Sequence, residues 1–425
     1  MMSAQNNELL TRVGPGTPMG RLLRSYWIPA LRSSELAEPG GPAVRVRLLG
    51  EPLVAFRDSE GRVGLLAEHC PHRQASLFFG RNEQGGLRCV YHGWKFDVTG
   101  RCIDLPSEPP GSRMRDRVKA PAYRCGERGG VIWAYLGDEE PPPLPELEWA
   151  LVPDDNRYLS NRLLECNWAQ ALEGDIDSSH ASFLHSMLDP VDYDRLDGRQ
   201  ELLYFHRDRY PRYEVADTEY GLMMAARRNA DALRHHWRAA QWIMPFHVMI
   251  APFDDQLFHT NIWVPMDDTT TMVWVINWHP DRALSAAERA HRDSNRFFHC
   301  TEFDPPTEEA GGAWRPRANA ANGYRLDREL QKTKMFFGVA PLWCQDKAVQ
   351  ESMGPIVDRT REHLAPGDLA IVRWRQRVLE TAREFTGEVH APARDPATHH
   401  VRPIGTLLGR DSDALNDLRR LSAIR

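Results

Sequence analysis

The densest chemistry in the sequence lies in Cys70-Pro-His72 and Cys89-Val-Tyr-His92, two short loops separated by sixteen residues. Each offers one thiolate and one imidazole. That is the inventory of a [2Fe-2S] cluster whose first iron takes two cysteines and whose second takes two histidines, an exchange that raises the reduction potential. A structural zinc site uses the same atoms but pairs Cys with Cys and His with His at close spacing. Here both pairs are mixed, which favours the cluster and leaves zinc as the alternative. Pro71 and Gly93 permit tight loops, and Tyr91 and Trp94 are available to shield the sulfurs. His69 adjoins Cys70 in an extended loop, so it points to the other side and is not a ligand.

A second group follows in CNWAQALEGDIDSSHASFLHSML, a run free of proline until Pro190 whose apolar spacing predicts a helix. Glu173, Asp177 and His180 fall on one helical face at steps of four and three. His185 comes five residues later, and at ~100° per residue it lies about 140° round from His180. Both imidazoles reach one metal only if the helix ends or bulges between them. Two imidazoles and one carboxylate, with positions left open, form the facial triad of non-haem Fe(II) oxygenases. The carboxylate is either Asp177 or one further along the chain. In the second case Asp177 would accept the other ring N–H of His180 and fix its orientation. Asp346, in WCQDKAVQES, is the downstream candidate, and spacing alone leaves it equally a helix N-cap. The bland alternative for the whole group is an acidic solvated face with two incidental histidines.

These residues need a scaffold. Residues 7 to 26 suggest a helical opening, and about 40 to 137 alternate as strands broken by turns. PPPLPELEWALVP reads as an extended linker. YGLMMAARR, HWRAAQWIMPFHVMI and TNIWVPMDDTTTMVWVINW read as strands, and helices are expected near 285–300 and 366–385. The last forty residues are polar, arginine-rich and unassigned. At 425 residues the chain has room for several domains, and 42% hydrophobic residues exclude wholesale disorder. A net charge of −6 without a basic run excludes a nucleic-acid partner. The opening lacks a secretory pattern, and no eighteen apolar residues run together, so a cytoplasmic protein without a membrane span is expected. Seven cysteines, an odd and scattered set, suit reduced thiols rather than a disulfide framework.

Across nearly all its length the chain resembles the catalytic α subunits of Rieske non-haem iron ring-hydroxylating oxygenases. CPHR with CVYHGW matches the cluster motif, and CNWAQALEGDIDSSHASFLHS matches the mononuclear iron motif. WCQDKAVQESMGPIVDRTREHL looks like the phthalate dioxygenase branch. The resemblance implies an α+β protein, with an N-terminal helix and all-β Rieske domain over residues 1–150. A helix-grip catalytic domain, an antiparallel sheet around a long helix, would fill 151–425. It implies Cys70, His72, Cys89 and His92 on the cluster, and His180, His185 and Asp346 on the iron. Asp177 would bridge His180 and His92 of a neighbouring subunit, in a homotrimer or stacked trimers without a small subunit. Asn167, in CNWAQ, matches a position near the iron, against the plainer reading of a buried amide satisfying backbone.

The implied reaction is dihydroxylation of an aromatic carboxylate, a phthalate or substituted benzoate, by O2, with electrons routed through the cluster and Asp177. No Gly-x-Gly-x-x-Gly follows a strand, so a separate NAD(P)H-dependent flavin and iron–sulfur reductase is required. A carboxylate calls for bidentate cations. Arg238, on one strand face with Ala240, Trp242 and Met244, and Arg212 are the candidates. The runners-up are a Rieske monooxygenase or O-demethylase, an electron carrier in which only the cluster works, and a zinc-stabilised binding protein.

Overall fold

This computed structural model describes residues 1–109, 111–189, 200–252, 257–386 and 391–424; Pro190, expected to close the proline-free run, lies outside them. Ser3 and Thr17 each accept a backbone N–H at the start of a short helix, Ala4–Thr11 and Pro18–Arg24. The expected helical opening is thus two pieces. They lead into a six-stranded antiparallel sheet, in the order Trp27–Arg32, Val131–Tyr135, Ala122–Arg128, Val63–Ala67, Glu51–Arg57, Val44–Leu48. Between Val63–Ala67 and Ala122–Arg128 the chain detours through a four-stranded ladder, Arg81–Glu83, Gly86–Arg88, Lys95–Phe96 and Cys102–Asp104. Val54, Phe56, Leu66, Leu77, Leu87 and Phe96 pack between the two sheets. Residues 141–147 have no regular structure, as their prolines require. A helical turn, Glu148–Leu151, follows within what the sequence suggests is extended.

A larger antiparallel sheet fills the rest. Its order is Arg157–Leu164, Thr271–Trp278, Phe258–Pro265, His247–Ile250, Arg234–Ile243, Gly221–Asn229, Arg212–Asp217, and Ile404–Gly409 pairs with Arg234–Ile243. The three strand segments foreseen from sequence lie here; Arg157–Leu164, Arg212–Asp217 and Ile404–Gly409 were not foreseen. Thr271–Trp278 is buried at every residue, so it is covered on both faces and shows no alternation. One face holds the helices Trp168–Ile176 and Leu369–Glu384. Trp374 of the longer helix meets Trp168 and Trp242 with ring centroids 5.9 and 6.0 Å apart. The helix Ala414–Ser422 covers the other face, with Leu418 among Met223, Trp237 and Ala239. The α+β class and the sheet around a long helix are therefore as expected. The helix near 285–300 shortens to Ala286–Asp293, fixed by a Ser285/Glu288 capping box. Among the described residues no helix is long and apolar enough to cross a membrane.

Glu173 does not share a face with Asp177 and His180. Its carboxylate accepts Nε and Nη2 of Arg375 at 2.7 and 3.0 Å, and Nη2 of Arg359 at 3.3 Å. Arg375 also donates to Glu362 at 2.6 Å, and Arg359 to Asn7 Oδ1 at 3.0 Å. Burial would raise the Glu173 pKa, but the two guanidiniums outweigh it and hold the carboxyl below its ordinary value. This cluster ties Trp168–Ile176 to the long helix and to the N-terminus. Glu173→Ala would leave two buried cations short of a partner, so we expect a loss of about 3–5 kcal/mol in urea unfolding. A loss under about 1 kcal/mol would show the cluster to be dispensable.

Candidate metal centres and cavity

The two Cys/His loops are closed by backbone. The N–H of Cys70 donates to Ala75 O at 2.9 Å and that of Gln74 to Cys70 O at 2.9 Å. Likewise Cys89 N–H reaches Trp94 O at 2.8 Å and Gly93 N–H reaches Cys89 O at 3.0 Å. Gly93 turns the second loop at φ +77°, and a Cβ there would lie 2.7 Å from Pro106 Cγ, so no other residue fits. Both cysteines are buried, and the His72 and His92 rings stand 4.4 Å apart. Trp94, buried, stacks on His72 at 4.2 Å, while Tyr91 is 55% exposed beside His92. Only Trp94 acts as an inner shield. His69 is exposed, as expected. Burial, with Cys89 alongside, pushes the Cys70 thiol up to about 11. Two buried thiols and two imidazoles converging at one tip are a donor set that fits a bound cationic cluster, which would turn thiol to thiolate.

The second centre depends on an early break. Trp168–Ile176 ends at Asp177, and a single 3₁₀ turn, His180–Ser182, follows. One distortion therefore precedes His180, and a second falls between the histidines as their spacing requires, because the 3₁₀ turn stops at Phe183, with φ −126° and ψ −69°. Asp177 enforces the first by accepting the N–H groups of Ser179 at 2.6 Å and His180 at 3.1 Å. Arg228, buried on Gly221–Asn229, donates to Ser178 Oγ at 2.9 Å, Ser178 O at 2.6 Å and Ser182 Oγ at 3.3 Å.

The break lets Nε2 of His180 and of His185 face each other at 3.1 Å, with Asp346 Oδ1 at 3.6 and 3.3 Å. The outer nitrogens have acceptors: His185 Nδ1 pairs with Gln345 Oε1 at 2.7 Å, and His180 Nδ1 faces Asp177 Oδ2 at 3.5 Å. With protons on those outer atoms, both inner lone pairs point at a carboxylate and need a cation between them. Burial would lower the His180 pKa, but Asp177 and Asp346 push it up to about 9, so a proton serves in the metal-free chain. His180, His185 and Asp346 could hold one ferrous ion with positions left open. Asp346 sits inside Leu342–Ser352, whose N-cap is Pro341, so the N-cap alternative for Asp346 falls.

The triad opens on a cavity of about 210 Å³. Arg238 lines it, with Nη1 donating to Pro252 O at 3.2 Å and Nη2 to Ala251 O. Two other candidates lie elsewhere. Asn167 caps Trp168–Ile176 through Ala169 N–H at 3.1 Å and donates to the carbonyls of Thr11 and Asp268 at 3.0 and 2.7 Å. It is the buried amide satisfying backbone, not a neighbour of the iron. Arg212 is exposed, stands 3.7 Å from Asp208 and does not line the cavity. Sequence reasoning missed Asp175, Arg162, Asn261 and Trp263, all cavity residues. Polar residues inside strands otherwise apolar were the available signal for Arg162 and Asn261. Burial is the main cause that raises the Asp175 pKa to about 7, against hydrogen bonds from Asn261 and Trp263.

Comparison with known proteins agrees with this architecture. Residues 26–123 match the Rieske [2Fe-2S] domain, and 134–401 match the LigXa C-terminal domain like family. The 3-chlorobenzoate-3,4-dioxygenase oxygenase subunit of Comamonas testosteroni is 40% identical over 95% of this chain and 94% of its own. The phthalate 4,5-dioxygenase oxygenase subunit of Pseudomonas putida is 38% identical over 93% and 91%. The 5,5'-dehydrodivanillate O-demethylase oxygenase subunit of Sphingobium sp. (strain NBRC 103272 / SYK-6) is 32% identical over 96% and 87%. A Rieske fold followed by a cavity with a His/His/Asp triad, in one chain this similar to those subunits, places the protein in a family. The chain belongs to the oxygenase subunits of Rieske non-haem iron oxygenases, in the phthalate dioxygenase-like branch, and carries a [2Fe-2S] cluster and a mononuclear iron.

Proposed function

We propose that the chain is the terminal oxygenase of a cytoplasmic multi-component enzyme that dihydroxylates an aromatic carboxylate, a phthalate or substituted benzoate. The observation that carries this reading is that Arg238 and the His180, His185, Asp346 triad line one cavity. The metals, held by Cys70, Cys89, His72 and His92 and by the triad, supply electron transfer from an NAD(P)H-dependent reductase and activation of dioxygen. The chain's own residues do the rest. Asp177 fixes the His180 ring and, in a homotrimer, reaches His92 of a neighbouring subunit. Arg238 binds the substrate carboxylate and so sets which ring edge meets the triad. Phe205 and Met224, in the same wall, keep the ring's surroundings apolar. We place the division between cluster and catalytic halves near residue 150.

Monooxygenation is the second reading, favoured by the relative named as an O-demethylase. Labelled dioxygen separates the two, because a dihydrodiol keeps both atoms of one O2. Anaerobic metal analysis with EPR after dithionite reduction tests the whole proposal. About three irons and two sulfides per chain with a rhombic signal are expected, and a colourless zinc protein would overturn it.

Three variants or conditions test the parts. Asp177→Asn should keep both metal sites filled yet lower turnover by at least about a hundredfold; normal turnover would remove the bridge. Arg238→Ala should raise KM for a benzoate by about tenfold or more while leaving the methyl ester little changed. Equal effects on both would refute the clamp. The third concerns protons. His180 stands above its ordinary 6.5, at about 9. Its proton therefore stabilises the metal-free fold fully below pH 6.5 and ceases to as pH rises through about 9. Ferrous binding at pH 7 to 8 must displace that proton, so titration calorimetry in buffers of different ionisation enthalpy should register about one proton released per iron. Release of none would mean that His180 is already neutral.

A further inference from the structure

One wall of the cavity is polar, and neither the triad nor Arg238 accounts for it. Asp175 Oδ1 and Oδ2 accept the Asn261 amide at 3.1 and 3.0 Å, and Oδ2 accepts Trp263 Nε1 at 2.6 Å. Both donors are buried and neutral. Behind them runs a chain of equally neutral groups. Ser160 Oγ meets His299 Nδ1 at 2.6 Å, His299 Nε2 meets Asn277 Oδ1 at 2.9 Å, and Asn277 Nδ2 donates to His259 Nδ1 at 3.1 Å. Asp175 is held by its two neutral donors, with Asp346 repelling it and Arg162 attracting it, and Arg292 Nε joins the chain behind at Asn277 Oδ1, 3.2 Å away. A carboxyl group so held, on the cavity wall, has oxygen lone pairs left to offer to a ligand.

Register places this wall away from Arg238. Trp242 pairs with Val248, and Val248 with Asn261, so Arg238 lies two strands across and four residues along from Asn261. That is about 10 Å across the sheet and about 13 Å along it. The cavity thus carries Arg238 at one end and the Asp175 acceptor at the other, with Arg162 also in its lining and attracting Asp175.

We propose that the cavity selects a two-ended aromatic: a carboxylate bound at Arg238 and, on the far side of the ring, a hydroxyl or amino group donating to Asp175. This rests on the Arg238 reading above. A bare or halogenated ring leaves the Asp175 oxygens facing carbon or halogen, and a buried acceptor without a partner is costly. A second carboxylate at that end is an acceptor only and offers the Asp175 oxygens no hydrogen bond. A site built to hydrogen-bond a hydroxyl discriminates strongly against the analogue lacking it.

The full chain, purified anaerobically with its cluster and ferrous iron, is titrated with benzoate, 3- and 4-hydroxybenzoate, 4-aminobenzoate, terephthalate and methyl benzoate. Trp263 and Trp343 line the cavity, so quenching of tryptophan fluorescence reports binding without turnover. We expect at least one hydroxy- or aminobenzoate to bind about tenfold or more tightly than benzoate, with terephthalate weaker than benzoate. Asp175→Asn should close that gap. Equal wild-type affinities for benzoate and all the hydroxy- and aminobenzoates overturn the proposal whether or not the variant folds. So does a gap that survives in a folded Asp175→Asn protein. If benzoate still binds better than methyl benzoate, only this inference has failed; if the ester binds as well, the Arg238 reading has failed and takes this one with it.

Discussion

The catalytic half turns on one geometric demand: two imidazoles five residues apart must face a single point, and no continuous helix allows it. The chain meets the demand by ending a helix at Asp177 and spending its carboxylate on the next two turn N–H groups, Ser179 and His180. Without such acceptors the turn would expose unpaired donors inside the protein. Arg228 completes the closure from the sheet. Burial lowers its pKa to about 10, and its guanidinium is spread over neutral acceptors: Ser178 O, Ser178 Oγ, Ser182 Oγ and Asp208 O. Charge-assisted bonds to carbonyl and hydroxyl oxygens are stronger than neutral ones, which suits a segment that has no helix ladder of its own.

The break can hold only if the helix before it stays fixed. Asn167 secures its start by capping Ala169 and gripping the carbonyls of Thr11 and Asp268. Glu173 secures its middle against Arg359 and Arg375. Trp168 secures its apolar side against Trp374. The N-terminal helix is thereby part of the support for the metal triad, though it lies about 170 residues earlier in the chain than Asp177. Asp346 comes from the other direction, on Leu342–Ser352, whose Trp343 N–H is tied to Phe297 O at 2.9 Å.

Legibility in the sequence followed the range of the interactions. The cluster loops are local: four donors, a turn glycine and a stacking tryptophan lie within 25 residues, and type and spacing suffice to read them. His180 and His185 were legible for the same reason, and so was the need for a distortion. The earlier break, after Ile176, was not, because Arg228, which holds it at Ser178, stands on a strand about fifty residues away. Asn167 misled because a cap and a site residue look alike in sequence; which one it is depends on Thr11 and Asp268, brought near by folding. Arg212 misled because its residue type alone suggested a carboxylate partner, and the sequence does not say that it stands exposed beside Asp208, outside the cavity. Thr271–Trp278, buried throughout, shows the converse failure, since a strand covered on both sides carries no alternation to read.

The cavity sets a harder problem than the triad, since polar groups must survive in a wall made largely of sheet. Two histidines behind that wall, His259 and His299, are driven far below their ordinary pKa by burial, His259 to about 3. As neutral rings they can donate and accept in line, and Asn277 joins them by using both ends of its amide. Charging either ring would cost the surrounding apolar wall more than its hydrogen bonds return. The two rings therefore orient without adding charge of their own, while Arg292 Nε meets Asn277 Oδ1 at 3.2 Å and formal charge in the cavity stays with Arg162, Arg238, His180 and the carboxylates. Orienting through neutral rings lets the ring of a substrate lie between two polar ends, while Arg162 faces both Asp175 and Asp346 and so links the polar wall to the metal triad.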